Sequence, residues 1–241
     1  MGKVKYMTLS ICSICQDEED LIPFFLNCCK YIHSQLGDNL KEVIVIDGGS
    51  KDKTWDILVS YLPQMSLVLK QVPFDTFGQQ KNRALELATG DFILGLDADM
   101  TISKNFPDVF KSGFFNRANF WDFPMLFTVQ DAYHYFYKWG IHNNMRMWKR
   151  GPKFKTNFHE KLEGQPHPVT NPCSTVFVFE HSCRASDQAL INRGERYQKF
   201  VEEMTKEGAG PGPADRYINA KKFAEFAPIP DHIKNLIVEG T

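Results

Sequence analysis

No apolar stretch of this 241-residue chain approaches the roughly 18 to 20 residues that a membrane-spanning helix needs. Met1-Gly2-Lys3-Val4-Lys5-Tyr6 leads directly into a strand-like run, without the apolar core of a signal peptide. A soluble, cytoplasmic protein is expected, with any membrane contact peripheral. Charge of one sign is missing too. With 28 Lys+Arg against 29 Asp+Glu, no overall field draws the chain to nucleic acid or to a lipid surface. Neither G-x-G-x-x-G nor Gly-Lys-Ser/Thr occurs, which excludes the usual dinucleotide fold and the P-loop NTPases. Six cysteines (Cys12, Cys15, Cys28, Cys29, Cys173 and Cys183) invite a metal or disulfide reading. Cys12 and Cys15 have C-x-x-C spacing, but they lie in the apolar run Leu9-Ser10-Ile11-Cys12-Ser13-Ile14. Alternation along a strand sends them to opposite faces, so buried free thiols are expected rather than a metal or redox pair.

What the chain does contain is enough apolar residue, 43%, to bury a sizeable core. The first hundred residues read as two β-α-β rounds. Tyr6 to Cys15 is a strand, and Glu18 to Gln35 has helical periodicity with Leu21, Ile22, Phe25, Leu26 and Cys29 inward. Val43 to Ile46 is a buried strand ending at Asp47. Ser50 or Asp52 can cap a helix running to about Tyr61. Ser66 to Gln71 is a third strand, Gln79 to Thr89 a helix stopped by Gly90, and Asp91 to Leu96 a fourth strand. Alternating strands and helices predict a mostly parallel sheet flanked by helices, with right-handed crossovers. From Phe114 to Trp148 aromatics are dense and periodicity is poor, as expected of longer strands and loops covering the sheet. Thr175 to Phe179 is rich in β-formers, and Gln188 to Lys206 is an amphipathic helix. Gly208-Ala209-Gly210-Pro211-Gly212-Pro213 is a break. There is no internal repeat. The expected organisation is one α/β domain over 1–207, divided into a half of alternating strands and helices at 1–100 and a mixed, aromatic-rich half at 101–207. An extension over 208–241, helical in part, follows.

Two carboxylates close the fourth strand, in Asp97-Ala98-Asp99. A strand buried on both faces should carry no charge. Carboxylates at its end sit at the carboxyl edge of the sheet, where open α/β folds bind ligands. Hard oxygen ligands on a rigid strand end suit Mg²⁺ or Mn²⁺. A second acidic strand end, Asp47, opens Asp47-Gly48-Gly49-Ser50-Lys51-Asp52-Lys53-Thr54. By itself that segment reads as a glycine turn and helix cap. A carboxylate followed by close backbone approach also suits a base or ribose.

The order of motifs carries more than any one of them. The acidic Asp17-Glu18-Glu19 follows the first strand, and Asp-Gly-Gly-Ser-x-Asp-x-Thr follows the second. Gly78-Gln79-Gln80-Lys81-Asn82-Arg83-Ala84, Ala88-Thr89-Gly90-Asp91-Phe92-Ile93 and Asp97-Ala98-Asp99 complete the series. This series resembles the family 2 glycosyltransferases of GT-A fold over roughly residues 7 to 100. The resemblance implies a nucleotide-diphosphate sugar donor and a divalent metal, Mn²⁺ or Mg²⁺. It implies that Asp47 recognises the base, that Glu18 or Glu19 lies near base and ribose, and that Lys81 faces the diphosphate. Asp99 is the implied direct metal ligand, with Asp97 on the ribose or a metal-bound water.

Further along, Met145-Arg146-Met147-Trp148-Lys149-Arg150 precedes Phe158-His159-Glu160-Lys161. This resembles a subgroup in which an Arg-aromatic-Arg stretch precedes a His-Glu pair, and it implies Glu160 as the base and His159 orienting acceptor or phosphate. The plainer alternative pairs Glu160 with Lys161 or Arg150 on the surface. His181 matches a position from which some GT-A enzymes supply a further metal ligand, and a satisfied histidine at a strand end competes with that role. Arg184 can reach the diphosphate; Arg193 and Arg196 read as a solvated helix face. The basic, aromatic-interleaved stretch from Arg146 to Lys161 can grip an anionic acceptor, a phosphorylated sugar or a lipid head. A nucleic-acid acceptor is open but not favoured. The expected activity is an inverting sugar transfer to a glycan, a lipid-linked saccharide, a protein or a modified base. Two alternatives stand beside it. One is a sugar-phosphate nucleotidyltransferase, against which the acidic Gln16-Asp17-Glu18-Glu19 would repel a triphosphate. The other is an idle nucleotide-sugar or glycan-binding module, against which the intact Asp97-Ala98-Asp99 speaks. Oligomeric state, donor sugar and acceptor are not legible.

Overall fold

The computed structural model describes residues 7–129, 132–136, 142–155, 162–165, 171, 173–181, 226–228 and 231–238. Strand β1 (Leu9–Cys15) is buried along its whole length, because it lies at the centre of the sheet. It pairs in parallel with β2 (Leu40–Asp47) and β4 (Phe92–Gly95), and β3 (Leu67–Gln71) adds in parallel outside β2. The register Cys15↔Asp47 and Cys12↔Gly95 brings the carboxyl ends of β1, β2 and β4 to one edge. Asp17, Asp47 and Asp97 are therefore delivered to one rim by chain direction alone.

Helix α1 (Ile22–Leu36) buries Ile22, Phe25, Leu26, Cys29, Ile32 and Leu36, the stripe its periodicity demanded. Its residues join the larger core with Ile11, Val43, Val45 and Leu94 from one face of the sheet. On the opposite face α3 (Phe77–Leu87) packs Ala84 against Cys12, Ile14, Ile44, Ile46, Ile93 and Trp148. Cys12 and Cys15 thus face opposite cores, and both are free thiols. Between β2 and β3 lies the short α2 (Thr54–Ser60).

Two local expectations change. Helix α3 ends at Leu87, before Gly90, and is capped at its start by Thr76, whose hydroxyl accepts from Gln79 N–H at 3.2 Å. Gly90 serves instead as a point of close approach. A Cβ there would lie 2.6 Å from backbone atoms of Leu9 and Ser10. The Ser50 hydroxyl does not cap α2, since it donates to Asp47 Oδ1 and accepts from Asp17 N–H. Asp52 Oδ1 takes the Thr54 amide at 2.9 Å.

The aromatic-rich half extends the sheet rather than covering it. β8 (His142–Lys149) pairs antiparallel with β4, then β6 (Phe120–Val129), β7 (Ala132–Phe136) and β10 (Phe226–Pro228) follow in space. β5 (Met100–Ile102) pairs antiparallel with β9 (Val178–Glu180), which runs parallel to β6. α4 (Phe106–Lys111) places Phe106 and Phe110 in a ring cluster with Phe115 and Phe123. The end of the 208–241 segment packs back on the domain: β10 joins the sheet, and Ile233 of α5 (Asp231–Lys234) is buried with Leu126, Phe177 and Phe179. The helix expected over Gln188 to Lys206 lies outside the described residues. None of the described helices is long and apolar enough to cross a membrane.

Candidate active site

The rim is built from two loops that lock each other. After β1, Asp17 adopts φ +53°, a left-handed conformation that Asp tolerates better than most residues. Its carboxylate accepts from Lys51 N–H at 2.6 Å, and Glu19 accepts from Lys53 N–H at 3.0 Å. In return, the amides of Asp17, Glu18 and Glu19 donate to Ser50 Oγ, Thr54 Oγ1 and Asp52 Oδ2. Asp17 and Glu19 thus spend their carboxylates on the facing loop, and Glu18 lies between them.

Asp47 is completely buried. Its oxygens accept from Ser50 N–H and Oγ–H, from Gln71 Nε2 at 2.6 Å, and from the Cys15 thiol at 3.7 Å. In this state it shapes the loop from beneath. A base meeting Asp47 directly would have to displace one of these donors. The neighbouring carboxylate and burial together drive the Cys15 thiol well above its ordinary range: burial contributes most, then the Asp47 charge.

Asp97 sits between two cations from opposite halves of the chain. Lys81 Nζ, from α3, is 3.2 Å from Oδ1, and Arg146 Nη1, from β8, is 3.0 Å from Oδ2. Burial works to raise this carboxyl, but the Lys81 and Arg146 charges and hydrogen bonds outweigh it and hold it far below the usual carboxylate range. Asp97 is ionised at any working pH, and each of its oxygens already faces a cation. Lys81 also lies 5.8 Å from the centre of the Phe154 ring. Arg146, placed by the sequence in a basic stretch without a role of its own, is the site residue that sequence reasoning missed. Its signal was the β-strand alternation of Arg146 and Trp148, which puts both on the α3 face.

Asp99 follows one turn of backbone later and is half-buried. Its carbonyl accepts from His181 N–H at 2.8 Å, so β9 delivers His181 beside the acidic pair. The His181 ring is completely buried, with Nε2 2.9 Å from Thr101 Oγ1 and its face stacked on Phe24 at 5.1 Å. A metal bond from Nε2 would require it to leave Thr101. Among the described residues no group of three or more His, Cys, Asp or Glu side chains converges as a metal cage. The donor set at Asp99 fits Mg²⁺ or Mn²⁺ in another way. These ions commonly take one or two carboxylates and complete their shell with water and substrate phosphate. Glu160, His159 and Arg184 lie outside the described residues.

Comparison with known proteins agrees with this arrangement. The profile of glycosyl transferase family 2 matches residues 10–171. The SPbeta prophage-derived glycosyltransferase SunS of Bacillus subtilis (strain 168) is 25% identical over 175 residues, 70% of this chain and 40% of SunS. A TPR repeat-containing protein of Synechococcus elongatus is 37% identical over 91 residues, 38% of this chain and 20% of that protein. The chain therefore spans less than half the length of these relatives. Among solved structures, the mannosyltransferase PcManGT from Pyrobaculum calidifontis, in complex with GDP-Man and Mn²⁺, has a TM-score of 0.55 and 16% identity. The match covers 91% of this chain and 70% of PcManGT, and it shows the common fold. With the profile covering most of its length and the expected carboxylates at the strand ends, the chain belongs to glycosyl transferase family 2.

Proposed function

We propose that this protein transfers a sugar from a nucleotide-diphosphate sugar to an acceptor nucleophile, with a divalent metal and inversion at the sugar carbon. The observation that carries the reading is the charged rim at the ends of β1, β2 and β4 within a family 2 chain, where Asp97 is clasped by Lys81 and Arg146 and Asp99 stands beside it. Breaking the glycosidic bond builds charge on the departing diphosphate, and fixed cations aimed at that charge lower the barrier. Lys81 is one such cation. Glu18, flanked by two carboxylates already committed to the facing loop, is the acidic residue assigned to the ribose side, and Asp47 organises the base-side loop. Asp99 is assigned to the metal, with His181 as a further ligand. A bound Mg²⁺ or Mn²⁺ would supply Lewis-acid stabilisation of the diphosphate. Arg184 is assigned to the diphosphate from the C-terminal side.

Inversion needs a base on the sugar face opposite the leaving group. Glu160 is assigned that role, with His159 orienting the acceptor. The Glu160→Gln variant is expected to bind donor as the natural protein does and to lose transfer. Turnover near normal in that variant would remove Glu160 from the mechanism. The donor itself is found by a thermal-shift screen of UDP-, GDP- and TDP-sugars with Mn²⁺ or Mg²⁺, since a ligand of the folded state raises the melting temperature by mass action. We expect a metal-dependent shift with one nucleotide class, and its loss in Asp99→Asn. A chain that no nucleotide sugar stabilises, with or without metal, would contradict the proposal.

A further inference from the structure

Asn82 follows Lys81 on α3, within the motif from Gly78 to Ala84. Its side-chain amide spends both of its ends on one residue. Nδ2 donates to the Phe154 carbonyl at 3.0 Å, and Oδ1 accepts from Phe154 N–H at 2.8 Å. A neighbouring β-strand would offer the same donor and acceptor, so Asn82 stands where a strand would pair. Phe154 also forms an antiparallel bridge with Leu162, and the Lys153 carbonyl accepts from Glu163 N–H at 3.0 Å. That bridge is isolated from the named strands. So short a two-stranded pairing is marginal by itself, which gives the Asn82 amide its weight.

Both ends of the bridge stand beside the donor site. Leu162 is buried with Ala84, Ile93 and Trp148, and Phe154 packs on the same cluster, its ring edge-to-face with Trp148 at 5.9 Å between centres. The Leu162 amide donates to Gln165 Oε1 at 3.2 Å. Lys81, Asp97, Phe154 and Gln165 line one cavity of about 170 Å³. Consecutive residues of α3 thus hold two parts of the molecule: Lys81 reaches Asp97, and Asn82 reaches Phe154. Phe154 and Leu162 bracket residues 155–161, and Glu160 stands two residues before Leu162 in the sequence. Two residues of extended chain reach about 7 Å, so fixing Leu162 limits where Glu160 can be placed. A misplacement of about 1 Å at a reacting group can cost about 100-fold in rate.

We infer that Asn82 is a positioning residue of the transfer reaction. Its amide ties Phe154, and through the Phe154–Leu162 bridge both ends of segment 155–161, to the helix whose Lys81 holds Asp97. This role rests on the assignment of Glu160 made above. The tie needs a donor and an acceptor together. Asn82→Ala removes both, whereas Asn82→Asp keeps the acceptor for Phe154 N–H and sets a carboxylate against the Phe154 carbonyl.

Hydrogen exchange read by mass spectrometry compares the natural protein with both variants. Peptides spanning 151–165 should exchange faster by about 10-fold or more, while those from β1, β2 and β4 exchange as in the natural protein. Turnover is read as release of nucleoside diphosphate from the sugar nucleotide that the thermal-shift screen selects, with water as acceptor. It should fall by about 10- to 100-fold. Donor affinity by calorimetry should stay within about 2-fold, because Lys81 and Asp97 are untouched, and a general loosening of the site would not spare it. Unchanged exchange over 151–165, turnover within about 2-fold of the natural protein, or donor affinity falling in step with turnover each overturns the inference. Glu160→Gln is measured alongside. Near-normal turnover there refutes the base assignment and the role of the tie with it. An inactive Glu160→Gln beside a fully active Asn82→Ala overturns the tie alone. A natural protein that neither binds nor turns over a nucleotide sugar contradicts the activity proposed above and is seen before any variant is made.

Discussion

Asp122 stands at a bulge between Trp121 and Asp122 in β6, 6% exposed, with Oδ1 buried and unpartnered among the described residues. Burial raises its carboxyl from an ordinary 3.8 to about 6. The fold therefore favours the protonated form. Its contribution to stability is complete below about pH 4 and is lost as pH rises through about 6, because over that interval the unfolded chain binds fewer protons than the native one. Asp122→Asn should remove this decline. Urea unfolding at several pH values tests it, and parallel stability profiles for the variant and the natural protein between pH 4 and 7 would exclude Asp122 as the source. Nothing in the local sequence marked Asp122, since a lone acid in an aromatic strand looks like a solvent-facing position. Its neighbours across the sheet decide that it is buried. Arg146 was hidden for the same reason: its partner Asp97 is 49 residues away in sequence.

At the level of elements, the carboxyl end of β4 is held in place from its amino end. Glu42 on β2 is 8% exposed and accepts from Ser10 Oγ on β1 and from Thr89 N and Oγ1, at 2.8 and 2.7 Å, just before β4. The Ser10 hydroxyl in turn accepts from Gly90 N–H at 2.8 Å. One carboxylate thereby fixes the approach of three parallel strands, and with them the register that carries Asp97 to the rim. Glu42→Ala takes the acceptor from the buried Ser10 hydroxyl and from the amide and hydroxyl of the exposed Thr89. With charged hydrogen bonds contributing about 1.5–3 kcal/mol each, we expect a loss of about 3 kcal/mol in chemical denaturation. A change below about 0.5 kcal/mol, the scale of ordinary surface substitutions, would show that Glu42 is replaceable. The strands themselves were legible because their periodicity is strong. The end of α3 was misplaced by two residues because glycine marks both a helix stop and a close approach, and only the backbone of Leu9 and Ser10 distinguishes them.

For the molecule as a whole, the C-terminal segment is structural. Ile233 is buried on Leu126, Phe177 and Phe179, and Leu236 carbonyl accepts from Lys104 N–H at 2.7 Å. Phe179 belongs to β9, whose end carries His181 beside Asp99. Removing residues 226–241 uncovers that cluster. At about 1.5–3 kcal/mol per fully buried large apolar side chain, the truncated chain should melt several degrees lower and bind a hydrophobic dye. An unchanged melting temperature would show the segment to be dispensable. The sequence by itself determined the parallel donor half, the helix faces, the acidic strand ends and the family, because each depends on local periodicity or on motifs a few residues long. Tertiary structure alone decided that the aromatic half extends the same sheet, that Asp47 is spent inside its loop, and that Asp97 is clasped by Lys81 and Arg146 above a cavity. Those outcomes depend on residues far apart in the chain and brought together by strand order, and no local pattern records such distances.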